Sequence, residues 1–179
     1  RHINNSDMQL LPDPTTAQVL PFTIGGSSVL RMFADVHTPQ GEPYDRDPRT
    51  ILKRNLQVLQ VRYGKLLVGP EPEFFYFRNA AATEGLDHGG YFSLDEDEGR
   101  GIRELTAFAV KSMGIDFGYS HHEVAPSQHE MEVNVQPALQ KADDLQTFKW
   151  LVKQVAKMSG VHATFMPKPL FNDNGSGMH

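Results

Sequence analysis

The sequence has no cysteine among its 179 residues, which excludes a disulfide framework and a metal site built on thiolates. No run of basic residues occurs, and a formal net charge of -5 argues against a nucleic-acid-binding surface. No apolar stretch approaches the roughly 20 residues that a membrane-spanning helix needs. The first residues show no signal-peptide pattern. We therefore expect a cytoplasmic protein with neither nucleic acid nor a membrane as its partner.

The composition is that of an ordinary globular protein, with 39% hydrophobic and 22% charged residues. The length suffices for one sizeable domain, or for a small domain and part of another. The chain begins in a polar stretch and stops just after a glycine-rich segment. We therefore expect it to be incomplete at both ends.

Strand and helix patterns mix along the chain without a regular βαβ repeat, which predicts an α+β fold. Asp47 and Pro48 are typical of a helix start, and Gly64 of a helix end. A composition shift near residue 40 predicts a domain boundary. Residues 1–27 and 78–90 are predicted to be looped or extended; the other predicted elements are strands at 29–36, 66–68, 74–77, 116–124, 129–135 and 163–166, and helices at 48–63, 102–113 and 142–155.

The first site signal is Gly-Pro-Glu-Pro-Glu-Phe-Phe at 69–75. Alternate residues of a strand share a face, so Glu71 and Glu73 point the same way as Phe75 and Phe77. Two carboxylates beside two aromatic rings are costly to bury unless cations neutralise them. The alternative is an exposed strand end with both carboxylates in water.

The second signal is His-His-Glu-Val-Ala-Pro-Ser-Gln-His-Glu at 121–130, where Glu123 and Glu130 flank a predicted turn. A hairpin there brings the two carboxylates together, and they join Glu73 if its strand pairs beside the hairpin. Three histidines suggest zinc at first sight, but we interpret His121, His122 and His129 as solvated side chains of a polar hairpin. Carboxylate ligands favour magnesium or manganese over zinc.

The third signal is the segment 166–179, which ends in Asn-Gly-Ser-Gly-Met-His. Its glycines allow backbone N–H groups to approach a ligand closely. By itself, such a segment is more often a flexible turn.

These three motifs, in this order, resemble class I glutamine synthetases, and shorter matches at 6–8, 13–14, 47–49, 90–92, 142–143 and 148–149 extend the resemblance over essentially the whole chain. The resemblance implies that residues 1–37 are the C-terminal part of a β-grasp domain. It also implies that residues 38–179 are the first half of a catalytic domain, with a mixed, mainly antiparallel sheet and flanking helices.

The resemblance also implies roles for individual residues. By resemblance, the ligands of the first metal are Glu73, Glu123 and Glu130, and those of the second metal are Glu71 and His179. Asn174 and Gly175 match the loop that binds glutamate, and Tyr91 matches a residue that lines the ammonium pocket beside Glu123. Gly118 stands where the family usually has a glutamate close to the nucleotide.

The activity implied is ATP-dependent ligation of ammonia to glutamate through γ-glutamyl phosphate, with two Mg²⁺ or Mn²⁺ ions per site. The partners implied are glutamate, ammonium, ATP and further copies of the chain, in a ring that is a dodecamer by resemblance. Two alternatives are a related γ-glutamyl ligase that uses a larger amine and a catalytically silent structural relative. A simple metal-dependent hydrolase is less favoured, because no nucleophile or activating base is evident.

Overall fold

The structure is a computed structural model that describes residues 7–179, so the part of the predicted N-terminal loop at 1–6 lies outside the described residues. The described chain forms ten strands and three α-helices, and the predicted α+β class is confirmed. The strands are β1 (Gln9–Pro12), β2 (Gln18–Val19), β3 (Leu30–Arg31), β4 (Ala34–His37), β5 (Leu67–Val68), β6 (Glu73–Phe77), β7 (Phe117–His122), β8 (Gln128–Val133), β9 (Gln136–Pro137) and β10 (His162–Thr164); the helices are α1 (Pro48–Tyr63), α2 (Arg100–Ser112) and α3 (Ala138–Met158). Among the described residues, none of these helices combines the length and the apolar character needed to cross a bilayer.

The described chain divides into two compact units, one formed by residues 7–68 with 137–143 and the other by 69–136 with 144–179. The domain boundary predicted at 37/38 stays a prediction.

The first unit contains two antiparallel strand pairs, β1 with β4 and β2 with β3. The strand predicted at 29–36 is interrupted, because the backbone of Phe33 bonds to the Thr16 hydroxyl and to the Asp13 N–H instead, each at 2.8 Å. Helix α1 begins as predicted: the Asp47 carboxylate accepts a hydrogen bond from the Thr50 N–H at 3.1 Å, and Gly64 follows its last turn with φ +87°.

Near the start of α1, the Arg49 guanidinium lies in a cage of three carboxylates. It donates to Asp35 at 2.6 Å, to Asp13 at 2.8 Å and to Asp143 at 2.9 Å. Asp143 is 94 positions further along the chain and belongs to α3. Arg49 therefore links the N-terminal strand region, through Asp13 and Asp35, to the start of α3, through Asp143.

The second unit is built on a four-stranded antiparallel sheet in the order β10-β6-β8-β7. All five residues of β6 are buried. On one face Phe75 and Phe77 stack with ring centroids 6.0 Å apart and pack with Ala125, while Phe74 packs against Phe148 of α3 at 6.4 Å. The predicted alternation of β6 is confirmed, and both middle strands, β6 and β8, are paired on each side.

Candidate metal and substrate site

The register of the sheet brings the acidic residues of two motifs together. Glu73 at the start of β6 is the direct cross-strand partner of Glu130 on β8, and Glu130 is in turn the partner of His121 on β7. Facing residues on paired strands have their Cβ atoms roughly 5 Å apart, close enough for side chains to share a ligand. The strand that carries Glu73 therefore pairs beside the hairpin, as the convergence of the three carboxylates requires.

Glu123 joins them from the turn between β7 and β8. Its N–H donates to the Gln128 carbonyl at 2.7 Å, which closes the hairpin. His121 lies between the two acids: its Nδ1 is 3.4 Å from Glu123 Oε1, and its Nε2 is 3.7 Å from Glu130 Oε2. His121 is thus a member of the acidic cluster, and its interpretation as a solvated side chain was wrong in part, because the side chain is only 24% exposed.

The four glutamates repel one another. Burial, a hydrogen bond with Glu123 and the charges of Glu123, Glu71 and Glu73 together raise the pKa of Glu130 to about 7. A carboxylate pushed this far from its ordinary range lacks a neutralising partner. Because the donors are carboxylate oxygens with one imidazole nearby, the residues present fit a hard divalent cation such as Mg²⁺ or Mn²⁺.

The glycine-rich segment folds back onto the start of β6. The Gly177 N–H donates to Glu73 Oε2 at 2.9 Å, the Glu73 N–H donates to the Gly177 carbonyl at 3.0 Å, and the Glu71 N–H donates to the His179 carbonyl at 3.2 Å. A Cβ atom on Gly177 would lie only 2.8 Å from Glu73 Oε1. Any larger residue there would have to displace the Glu73 carboxylate, so glycine favours the close approach of the two segments.

A cleft of about 450 Å³ opens where this segment meets the acidic cluster. Gly175 stands at its edge, and a Cβ atom there would lie 2.4 Å from the Pro167 carbonyl oxygen, so only glycine fits. Some of the residues assigned by resemblance to each metal and to the glutamate loop line this one cleft: Glu73, Glu123, Asn174, Gly175 and His179. Glu130 lies beside them as the cross-strand partner of Glu73.

Tyr91 lies one side chain away from this group. Its ring packs edge-on against His121 at 5.1 Å, and it is 50% exposed. Tyr91 therefore contacts the cluster through His121, and its assignment to an ammonium pocket stays a prediction.

Our interpretation of His122 and His129 as solvated was also wrong, because they are 2% and 0% exposed. His122 donates from Nε2 to Asp87 at 2.9 Å and from Nδ1 to the Glu123 carbonyl at 2.7 Å. Although burial opposes it, the Asp87 hydrogen bond raises the pKa of His122, so the two side chains form a buried ion pair.

His129, in contrast to His122, is held in its neutral form. Burial and the charge of Arg103 lower its pKa to about 3, so its ring is neutral. Arg103 donates to His129 Nδ1 at 2.8 Å, which leaves the ring proton on Nε2. A protonated nitrogen cannot bind a metal, so the neighbouring carboxylate and imidazoles of Asp87, His122 and His129 are structural rather than a zinc site.

Gly118 lies on β7 beside another acid. A Cβ atom there would be 3.0 Å from Asn134 Oδ1 and 3.4 Å from the carboxylate of Glu132. A glutamate at this position would therefore face the carboxylate of Glu132.

Reasoning from the sequence missed Gln128, which lies at the centre of the site. Its side-chain amide contacts both Glu73 and Gly175, at 2.7 and 2.9 Å. The signal available was its place between the two acids of the hairpin motif, where a buried amide needs partners.

Comparison with known families gives a match over residues 45–179 to the family described as "Glutamine synthetase, catalytic domain". The chain belongs to the glutamine synthetase family. Curated relatives include the glutamine synthetase of Methanococcus voltae, 46% identical over 99% of this chain, and that of Staphylococcus aureus strain MW2, 44% identical over 99%. The chain spans about 40% of the length of these relatives.

Solved structures of the glutamine synthetase family have the same fold. The chain superposes on Plasmodium falciparum glutamine synthetase, solved by cryo-electron microscopy, with a TM-score of 0.89 at 28% identity, over 100% of this chain and 41% of that one. It superposes on GmaS without ligand with a TM-score of 0.88 at 29% identity, over 99% of this chain and 42% of that one. The family resemblance expected from the motifs is confirmed.

Proposed function

We propose that the protein is an ATP-dependent ligase that joins ammonia to glutamate through γ-glutamyl phosphate. The observation that carries this proposal is the clustering of four glutamates from two motifs, of which Glu73 and Glu123 line one cleft with the glycine-rich third motif, within a chain of the glutamine synthetase family. Such a concentration of negative charge has no structural use without cations, whereas phosphoryl transfer to a carboxylate needs them.

Two divalent cations would supply charge neutralisation and alignment for ATP and glutamate. Glu73, Glu123 and Glu130 would hold the first of them, and Glu71 and His179 would hold the second. The first set is the better ordered, because Glu73 and Glu130 are paired on neighbouring strands and Glu123 is fixed by the hairpin turn.

The chain's own residues also suit the attack by ammonia and the binding of glutamate. Glu123, backed by His121, places negative charge where ammonium would enter, and a carboxylate there can accept a proton as ammonia attacks. Asn174 and Gly175 line the same cleft and would hold the glutamate substrate. The N–H donors and amide groups of this loop are suited to its carboxylate.

The test is an assay of the full-length protein with ATP, glutamate, Mg²⁺ or Mn²⁺, and ammonium, in which glutamine and phosphate are measured. We expect equal amounts of both products, dependent on ammonium. A parallel reaction with a larger primary amine in place of ammonium tests the alternative ligase. Faster product formation with the larger amine would contradict ammonia as the substrate, and no phosphate release with either would favour a silent relative.

We further propose that the protein works as a homo-oligomer. Large apolar side chains are exposed at several places in each compact unit, including Val61, Phe92 and Phe171. Exposed apolar surface of this extent is typical of chains that bury it against a neighbour. Light scattering on the full-length protein gives the subunit number, and a monomer at micromolar concentration would contradict the proposal.

A further inference from the structure

The Gln128 side chain is only 1% exposed, and its amide uses both donors and one acceptor position. Its Nε2 donates to Glu73 Oε2 at 2.7 Å and to the Gly175 carbonyl at 2.9 Å. Its Oε1 accepts from the Ala125 N–H at 3.1 Å. Three hydrogen bonds to a buried amide favour a single geometry, because any other orientation would leave the buried partner groups unpaired.

These three contacts fix the orientation of the amide. If it were rotated by a half turn, its oxygen would face the Glu73 carboxylate and the Gly175 carbonyl, two acceptors, and its NH₂ group would face the Ala125 N–H donor. Gln128 therefore links the hairpin turn, the start of β6 and the glycine-rich segment through hydrogen bonds of fixed direction.

At Glu73, these hydrogen bonds determine which carboxylate oxygen remains available to a ligand. Glu73 Oε2 accepts from both Gln128 Nε2 and the Gly177 N–H, so it is fully occupied by the protein. Oε1 has no such donor in the described part of the chain, and because Glu73 lines the cleft, Oε1 is the oxygen left for a ligand. Residues that hold a metal ligand in this way control its orientation and basicity.

On the Gly175 side, the same nitrogen holds the backbone of the segment that carries Asn174. Gly175 has little room to shift toward Pro167, because a Cβ atom at Gly175 would lie only 2.4 Å from the Pro167 carbonyl oxygen. The position of the loop is thus set between Pro167 on one side and the Gln128 amide on the other.

We propose that Gln128 is a positioning residue that joins the cation-binding carboxylate of Glu73 to the substrate loop at Gly175, so that one side chain sets both metal affinity and glutamate affinity. This inference rests on the proposed function for the identity of the two ligands. Loss of the amide then weakens both affinities together, although Gln128 touches neither ligand.

Two substitutions in the full-length protein test this. Gln128→Met keeps the length and volume of the side chain and removes all three hydrogen bonds. Gln128→Glu keeps an oxygen for the Ala125 N–H, and with it the hairpin turn, but puts an acceptor against Glu73 and Gly175. The matched control is Gln146→Met, at an exposed position of α3.

The readouts are calorimetric titrations, first with Mn²⁺ alone and then with glutamate on protein saturated with Mn²⁺ and ADP. We expect both Gln128 variants to bind Mn²⁺ about 10- to 100-fold more weakly, as for other partners of metal ligands, and the control to match the wild type. We also expect glutamate to bind at least several-fold more weakly even at saturating Mn²⁺. A role in folding alone would lower the amount of competent protein without changing either dissociation constant.

Folded variants with unchanged Mn²⁺ and glutamate affinities would overturn the inference, and so would a loss confined to one of the two ligands. If Gln128→Met does not fold, Gln128→Glu carries the test, because it retains the turn. Failure of the proposed function would look different: the wild type would form no glutamine, whatever the Gln128 variants bind.

Discussion

At the scale of single residues, Glu123 serves two proposed purposes, as a cation ligand and as the negative wall that attracts ammonium. Glu123→Gln keeps the side chain's shape and an oxygen for the Val124 N–H, which is 3.1 Å from Glu123 Oε2. We expect the kcat for glutamine formation to fall by about 10²- to 10³-fold, the range typical of lost transition-state electrostatics. Glu104→Gln, on the exposed side of α2, is the control. A near-normal kcat for Glu123→Gln would refute the assignment.

Glu130 makes the stability of the metal-free protein depend on pH. Its pKa is about 7 in the folded state, against an ordinary 4.5. The folded state therefore binds this proton more tightly than the unfolded chain, so the stabilisation is complete below pH 4.5 and is lost as pH rises through 7. We expect the melting temperature of metal-free protein to fall between pH 5 and 8, and the stabilisation by Mn²⁺ to grow over the same range.

The comparison is thermal unfolding of the wild type and of Glu130→Gln, each with and without Mn²⁺, at several pH values. Glutamine has no proton to lose, so this part of the pH dependence should vanish in the variant. An unchanged slope in Glu130→Gln would show that another group is responsible.

At the scale of elements, the turn between β7 and β8 is held from outside the hairpin by Asp87. Its Oδ1 accepts from the Ser127 N–H at 3.0 Å and from His122 at 2.9 Å, and its carbonyl accepts from the Ser127 hydroxyl at 3.0 Å. These contacts hold Ser127 at a φ of +62°, a conformation that serine rarely adopts. Asp87 thus pins the turn on which both Glu123 and Gln128 depend.

We expect Asp87→Ala to destabilise the protein by about 2–6 kcal/mol, because it leaves two buried donors, the Ser127 N–H and His122 Nε2, without their acceptor. The measurement is urea unfolding, with Asp95→Ala at an exposed position as control. Hydrogen exchange should rise first at the amides of β7 and β8. Unfolding at the wild-type urea concentration would show that the turn does not need Asp87.

The elements differ in how far the sequence could predict them. Helix α1 was predicted to the residue, since its cap, its proline and its final glycine are local signals. The alternation of β6 and the turn between Glu123 and Glu130 were predicted for the same reason. Helix α3 starts at Ala138, earlier than the predicted 142, because the Ala138 N–H finds its partner in the Leu66 carbonyl, far away in the sequence.

The burial of His122 and His129 could not be predicted, because it depends on Asp87 and Arg103, which lie 35 and 26 positions away. Polar residues in a hairpin look solvated until the strands on either side are known. The same limit explains why Gln128 was missed: its importance comes from Glu73 and Gly175, which only the folded sheet brings near it.

At the scale of the whole molecule, the ligands of the two proposed cation sites differ in how firmly the fold positions them. In the first site, Glu73 and Glu130 are buried and paired on neighbouring strands and Glu123 is half-buried in the hairpin, whereas in the second site Glu71 is half-buried and His179 is exposed. We expect the 179-residue chain, if its circular dichroism shows it to be folded, to bind one Mn²⁺ ion distinctly more tightly than a second. Calorimetric titration with Mn²⁺ measures both. Two equal tight sites, or none in a folded sample, would contradict this expectation.

The cage around Arg49 has a consequence for biosynthesis. Asp13 and Asp35 leave the ribosome before Arg49, but Asp143 follows 94 positions later. At roughly 5–20 residues per second, that interval lasts about 5–20 s, during which the first unit has Arg49 but not its third carboxylate. The nascent chain therefore spends seconds with its N-terminal strands incompletely anchored, and this is when proteases and chaperones have access to them.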